Sequence, residues 1–283
     1  MAGMTYPFAD HALAARLEAA EGAASCGFVD ARARIAPETG AAWCEVNGAV
    51  AIYDGPGSPL TQTFGLGMAA PVDDNTLAGL ERFLRERGAA SVHEVSPLAL
   101  GDSLTVLSSR GYEPFELTTV MFRPISDAVL AAPLAPGLSV RVVGGGDDAV
   151  AWAEVAADGW SDTPEVVPFV RAIGQVYAQM AGAQCFLIEH DGASAAAGVL
   201  AIHQGVALLA GASTRPAHRR KGAQLALLGA RLAEARRRGC DLAMMAARPG
   251  SASQRNAERH GFRIAYTRIK WRRRDARDGT TTE

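Results

Sequence analysis

The sequence predicts an α/β (α+β) protein built of two parts of one kind, each a mixed, mostly antiparallel sheet flanked by helices. Three observations carry that expectation. The dipeptides Asn47-Gly48 and Asp191-Gly192 stand between apolar runs, the pattern of antiparallel hairpins. The apolar run Val206–Ser213 stops at a basic loop, after which Leu225, Leu228, Leu232 and Ala235 recur at helical spacing as one apolar stripe, with Arg231, Glu234, Arg237 and Arg238 mostly off it as a charged face. Two landmarks of the first half also return in the second. Gly88 and Gly239, 151 residues apart, each close a helical pattern, and Gly111-Tyr112 and Gly261-Phe262 lie 150 apart. Helix–glycine and glycine–aromatic junctions are common, so duplication and coincidence both stay open on sequence grounds.

Taken in order, Ala9–Glu21 is Ala- and Leu-rich and reads as a helix. Ala41–Tyr53 is a hairpin turning at Asn47-Gly48, and Leu60–Met68 a further strand. Asp73, Asp74 or Asn75 caps a helix with Leu77, Leu80 and Leu84 on one face. A short strand (Ser91–Val95), a short helix (Leu104–Arg110) and strands through Arg123 follow. Prolines and a glycine in Ala131–Gly137 break the chain. The expected division is therefore 1–132, a linker 133–137, a second part 138–274, and a polar tail 275–283 expected to be disordered.

The second part opens with the strand Leu138–Val143. Gly144–Asp147 is a turn rather than a phosphate loop, because no basic residue accompanies it, and Asp147 or Asp148 caps a helix to about Ala157. Trp160–Glu165 is a loop and Val166–Met180 a helix. Cys185–Glu189, Ala195–His203 and Val206–Thr214 are antiparallel strands. The helix Gly222–Arg238 leads to Asp241–Ala247, expected parallel to and beside Val206–Thr214 through a right-handed crossover. Ser251–His260 is a helix, and Phe262–Arg273 forms the last strands.

Composition narrows the function. Of 283 residues, 48% are hydrophobic and 20% charged, which suits a globular protein with ample core. The net charge of −2 supplies no global field for nucleic acid, and positive charge is concentrated at one loop. Cys26, Cys44, Cys185 and Cys240 are scattered, so neither a zinc site nor a disulfide framework is implied. No export signal or membrane span is read, and a cytoplasmic protein is expected. Arginine for lysine throughout, with only Lys221 and Lys270, and abundant alanine suggest a GC-rich bacterial source.

The loop is where the chemistry concentrates. Helix N-termini carry unpartnered N–H groups and a partial positive charge. Arg219, Arg220 and Lys221 add three cations there, and Gly222 leaves room for close approach to the backbone. This combination suits a phosphate or pyrophosphate, although neither a P-loop nor a dinucleotide fingerprint is present. The matching stretch of the first half, Ala70–Asn75, has no cation or glycine and carries Asp73 and Asp74, so it is expected to bind no coenzyme.

The run Arg219-Arg220-Lys221-Gly222-Ala223-Gln224 resembles the R/Q-x-x-G-x-G/A signature of the GNAT superfamily of N-acetyltransferases, departing from it at Gln224. Thr214-Arg215-Pro216 before it and Ser251–Phe262 after it extend the resemblance over roughly Leu138–Arg273. It implies two tandem GNAT-like folds, the first degenerate. It also implies acetyl-CoA as co-substrate and direct transfer of the acetyl group to a primary amine of a small molecule or peptide, with homodimerisation left open. The resemblance places the coenzyme on Ala212, Ser213, Thr214, Arg219, Arg220, Lys221, Gly222, Ala223, Gln224, Asn256 and Arg259, with backbone N–H groups of 212–214 on the thioester carbonyl. Many family members have a tyrosine acid where this chain has Ala257; Tyr266 is the substitute candidate, and Glu189 and His203 are candidate bases acting through water. The competing reading is a non-catalytic acyl-CoA-binding or regulatory module.

Overall fold

Turn chemistry and apolar spacing set most elements of the chain. The computed structural model describes residues 5–125, 134–144 and 147–274. Its elements are α1 (His11–Ile35), β1 (Ala42–Val46), β2 (Ala49–Tyr53), β3 (Gln62–Phe64), α2 (Asp74–Arg85), β4 (Val92–Val95), α3 (Ser103–Ser109), β5 (Tyr112–Pro124), β6 (Leu138–Val142), α4 (Asp147–Asp158), α5 (Val167–Tyr177), β7 (Ala183–His190), β8 (Ala193–His203), β9 (Val206–Thr214), α6 (Ala223–Arg237), β10 (Leu242–Ala247), α7 (Ala252–Arg259) and β11 (Arg263–Arg273). The Asn47-Gly48 hairpin turn has φ +50° and +77°, the paired left-handed geometry a two-residue turn needs. Among the described residues no helix is long and apolar enough to cross a membrane. The tail 275–283 and part of the linker lie outside the described residues.

The chain divides into two compact units that are not consecutive in sequence. One, the loop-bearing unit, comprises Met1–Tyr6 and Phe122–Met245; the other, the companion unit, comprises Pro7–Met121 and Ala246–Glu283. The division expected at 133–137 follows the chain, whereas compactness follows strand pairing. β11 comes from the end of the sequence, yet it is zipped antiparallel onto β4, from Val95–Ile269 to Val92–Arg272.

Within the companion unit the strand order is β1-β2-β3-β4-β11-β5. Leu77, Leu80 and Leu84 are fully buried on the expected face of α2, against a core that includes Ala51, Tyr53 and Leu66. Two elements differ from expectation. α1 runs on to Ile35, because Phe28, Val29 and Ala31 continue its buried face. The strand expected over Leu60–Met68 is only β3, because Gly65 and Gly67 take φ of +71° and +80°, which extended strand does not use. β3 pairs parallel with β4 across α2.

A polar chain crosses this core. Tyr112 donates to Glu81 at 3.0 Å and lies 2.9 Å from His93 Nε2. His93 is fully buried, and desolvation pushes its pKa down from 6.5 to about 4, against a smaller upward pull from Glu81. The sign follows directly: the folded protein keeps His93 neutral where the unfolded chain takes a proton, so stability falls as pH drops below 6.5 toward 4. Between pH 6.5 and 5.5 this group is expected to remove about 1 kcal/mol. Urea titrations at both pH values, on the native protein and on His93→Gln, read the difference; equal slopes in the two proteins would dismiss it.

In the loop-bearing unit the order is β10-β9-β8-β7-β6, and Ile125, just past β5, donates to Asp241 O at 2.9 Å. β6–β9 form an antiparallel meander with left-handed residues at Asp191-Gly192 and Gln204-Gly205. β10 is parallel to β9, as the crossover through α6 requires. Trp152 of α4 anchors one face of the sheet: it is 1% exposed, packs among Leu187, Ala197 and Val199, and donates to Phe186 O at 3.0 Å.

Candidate functional site

β9 is held on two sides for only part of its length. Its ladder with β10 covers Val206–Leu242, Ala207–Ala243 and Leu208–Met244 and then ends, so Leu209–Thr214 has no ladder partner on that edge among the described residues. On the other edge the register with β8 shifts between Ala197 and Val199, setting Gly211 and Ala212 against the single residue Gly198. Such a bulge bends a strand and re-aims its N–H groups. Gly211, at φ +57°, supplies the left-handed residue.

The end of β9 feeds the cationic loop. Pro216–His218 form a 3₁₀ turn, Arg220 is left-handed at φ +64°, and Arg220, Lys221 and Gly222 are exposed. Gly222 caps α6 at φ +83° and no side chain caps the helix. A Cβ at 222 would meet Leu138 at 3.5 Å and Ala135 at 3.7 Å, which is ordinary contact. Conformation, not crowding, is thus what demands glycine there. The contrasting helix start in the companion unit is filled by its own anion: Asp73 accepts from Thr76 N at 2.7 Å, and that bonding lowers the Asp73 pKa.

The loop side chains are already engaged. Arg219 donates to Thr214 O at 3.3 Å, to Gly159 O at 3.0 Å and to Asp162. Arg215 pairs with Asp158 at 2.8 Å and donates to Ser194 O at 3.0 Å. Ser213 is buried and donates to Ala156 O at 2.9 Å. Thr214 donates to Gln224 Oε1 at 3.1 Å, so the unusual Gln224 side chain turns back onto the strand. His218 and His190 bring their Nδ1 atoms to 3.3 Å; desolvation, then the charges of Lys221, His190 and Arg215, hold His218 below the usual histidine range.

The structure therefore brings Ala212, Ser213, Thr214, Arg219, Arg220, Lys221, Gly222, Ala223 and Gln224 into one continuous feature of the loop-bearing unit. Glu189 sits at the same end of the sheet, but Arg141 holds it at 3.0 Å and Ser139 donates to it at 3.3 Å. His203 pairs with Val206, at the opposite end of β9 from Thr214, roughly 26 Å away at strand rise. Tyr266, Asn256 and Arg259 belong to the companion unit. Tyr266 is buried and donates to Glu18 at 2.8 Å; burial, then the Glu18 charge, push its pKa far up. Asn256 and Arg259 lie on α7, with Asn256 O 2.7 Å from His260 Nδ1.

Sequence reasoning missed the residue beneath the bulge. Arg231, read as part of the charged face, is 1% exposed, whereas Leu225, read as part of the apolar stripe, is 49% exposed. The buried face of α6 is Leu227, Leu228, Arg231, Leu232 and Ala235, and the spacing of Arg231 from Leu227, Leu228 and Ala235 was the available signal.

Residues 151–262 match the acetyltransferase (GNAT) family. This stretch is similar to that family over about 40% of the chain. The GCN5-related N-acetyltransferase from Kribbella flavida superposes on the chain with a TM-score of 0.66 at 19% identity, covering 93% of this chain and 96% of that one. A tandem GNAT protein from the clavulanic acid biosynthesis pathway gives 0.51 at 16% identity, covering 78% and 72%. The C-terminal domain of a putative lysylphosphatidylglycerol synthetase from Agrobacterium fabrum gives 0.53 at 14%, covering 91% and 93%. At such identities the likeness is one of fold. No curated protein matches the sequence. The GNAT fold thus accounts for the sheet and the β9–loop–α6 arrangement without fixing a substrate.

Proposed function

We propose that the protein is an acetyl-CoA-dependent N-acetyltransferase acting on a primary amine of a small molecule or peptide, with one coenzyme site in the loop-bearing unit. The observation that carries this reading is the bulged end of β9: six residues without a ladder partner toward β10 among the described residues, leading into three cations and an uncapped helix start. The fit to the coenzyme is favourable on each count. Uncapped N–H groups at the start of α6 suit a pyrophosphate. Gly211, Ala212 and Ser213 are small, so an extended pantetheine arm could lie along the strand and pair with its backbone.

Acetyl-CoA supplies an acyl thioester ready for attack by an amine. In this reading Lys221–Gln224 backbone N–H groups, with Arg219, hold the phosphates, and the N–H groups of residues 212–214 orient and polarise the thioester carbonyl. Fixed donors of that kind can supply a large share of a rate enhancement. Glu189 keeps its candidacy as a base through water. Tyr266 and His203 are given no proton-transfer role, because the first is committed to Glu18 and the second lies at the far end of β9. The first half, whose matching helix is capped by Asp73, is read as a degenerate GNAT-like copy, and the recurrence of strand–helix–parallel strand in β3-α2-β4 and β9-α6-β10 supports that view.

Tyr266 committed to Glu18, Glu189 paired with Arg141 and His203 at the far end of β9 favour one alternative, an acyl-CoA-binding module without turnover. Titration with acetyl-CoA is expected to give one site per chain, and a panel of primary amines is expected to release free CoA. Two sites per chain would refute the degenerate first half; binding without CoA release by any amine would establish the module instead.

A further inference from the structure

Arg231 is a buried cation whose hydrogen-bond partners are backbone carbonyls. Its side chain is 1% exposed on the sheet-facing side of α6, and it forms no ion pair among the described residues. Nη1 donates to Val199 O at 3.2 Å and to Ala210 O at 3.3 Å, and Nε donates to Leu227 O at 3.3 Å. Val199 and Ala210 are the residues paired across β8 and β9 where the register shifts. Gly198, the single residue facing the bulge, is fitted to the guanidinium: a Cβ there would stand 3.2 Å from both Cζ and Nη1 and 3.0 Å from Leu227. An unpaired charge in a protein interior is costly to keep. Burial presses its pKa down to about 10, which leaves it charged at neutral pH.

The place of that charge gives it a use. A bulge interrupts the ladder, and the carbonyls at its edge need donors in a dry interior. One guanidinium meets both. The Ala210 carbonyl belongs to the same peptide unit as the Gly211 N–H, so a cation on its oxygen makes that N–H a stronger donor, as linked hydrogen bonds polarise one another. Fastening Ala210 also fixes where Gly211, Ala212 and Ser213 aim their backbone.

We infer that Arg231 is a positioning residue for acyl-group recognition: it locks the β9 bulge and so orients the backbone donors of residues 212–214 meant for the thioester end of the coenzyme, and through the Ala210–Gly211 peptide unit it strengthens the Gly211 N–H beside them. This rests on the acetyl-CoA reading above. The two are separated by comparing acetyl-CoA with 3′-phosphoadenosine 5′-diphosphate, which carries the phosphates of the coenzyme and lacks its pantetheine and acyl group.

Isothermal titration of the full chain with both probes tests it, on the native protein, Arg231→Met, Arg231→Lys and Gly198→Ala. Arg231→Met is expected to weaken acetyl-CoA at least tenfold and to leave the nucleotide within twofold, with Arg231→Lys recovering part of the loss. Gly198→Ala keeps the arginine but crowds its guanidinium, which must give by a few tenths of an ångström against the carbonyls, so it should reproduce part of the selective loss even if Arg231→Met does not fold. Equal loss for both probes in the folded variants, or no loss for either, would overturn the inference. Native protein that binds the nucleotide and acetyl-CoA equally well would overturn it alone; native protein that binds neither would remove the acetyl-CoA reading and this one together.

Discussion

Arg268→Met is expected to lower the unfolding free energy by about 3–5 kcal/mol, the cost of stranding buried charge. Arg268 is 1% exposed, and three carboxylates of the companion unit surround it: Glu94 at 2.7 Å, Glu21 at 2.9 Å and Glu18 at 3.4 Å. Lys270 adds a second cation 3.3 Å from Glu94, and Tyr266 donates to Glu18. Burial drives the Glu21 pKa up, the Arg268 charge is the largest influence opposing it, and the Glu94 and Glu18 charges add to the rise, which leaves Glu21 above the usual carboxylate range. Without Arg268, three acidic groups would share one ammonium. Their folded pKa values would rise, that of Glu21 further than it already stands, and a carboxyl raised in this way binds its proton more readily when folded, so stability is recovered as pH falls. The loss should therefore be larger at pH 8 than at pH 5. Adding Glu18→Gln to Arg268→Met should restore part of it, since the pair is coupled. Urea unfolding of the three proteins at both pH values checks this; a loss under about 1 kcal/mol for the single variant, or one that does not change with pH, would show the cluster to be solvated rather than buried.

That cluster was invisible in the sequence, and the reason is distance along the chain. Glu18 lies in α1 and Arg268 in β11, and nothing local to either announces the other. The pairing of β11 with β4 is equally non-local, which is why a chain break at 133–137 seemed to part the halves cleanly while compactness groups Ala246–Glu283 with Pro7–Met121. What was legible was set by neighbours. Asn47-Gly48 and Asp191-Gly192 fix their turns through backbone conformation, and the crossover rule fixes β10 parallel to β9. The loop was legible for the same reason, because Arg219 to Gln224 are consecutive. Its partners Asp158 and Asp162 were not, being brought to it by the packing of α4 on the sheet. Arg231 was misjudged for a different cause. Charge was taken as a sign of exposure, whereas the bulge it serves consists of backbone carbonyls that no side-chain pattern reveals.

The loop itself gives the other large expectation, that Gly222→Val and Arg219→Ala each weaken acetyl-CoA about 10- to 150-fold, equivalent to ~1.5–3 kcal/mol. The causes differ. Arg219 fastens the loop by bonds to Thr214 O and Gly159 O as well as to Asp162, so its removal frees the loop and deletes a charged donor together. Gly222 sits at φ +83°, where a β-branched residue is strained, and relief comes only by moving the first N–H groups of α6. Lys221→Ala should do less, because an exposed, flexible ammonium is screened. Asp162→Asn provides the control. Its pair with Arg219 is solvent-exposed and worth at most ~1 kcal/mol, so the two carbonyl bonds should keep the loop placed and the affinity within about fivefold. Isothermal titration with acetyl-CoA ranks the four. Should Gly222→Val and Arg219→Ala both bind as the native protein does, the loop is a basic turn and the coenzyme, if bound at all, is held elsewhere.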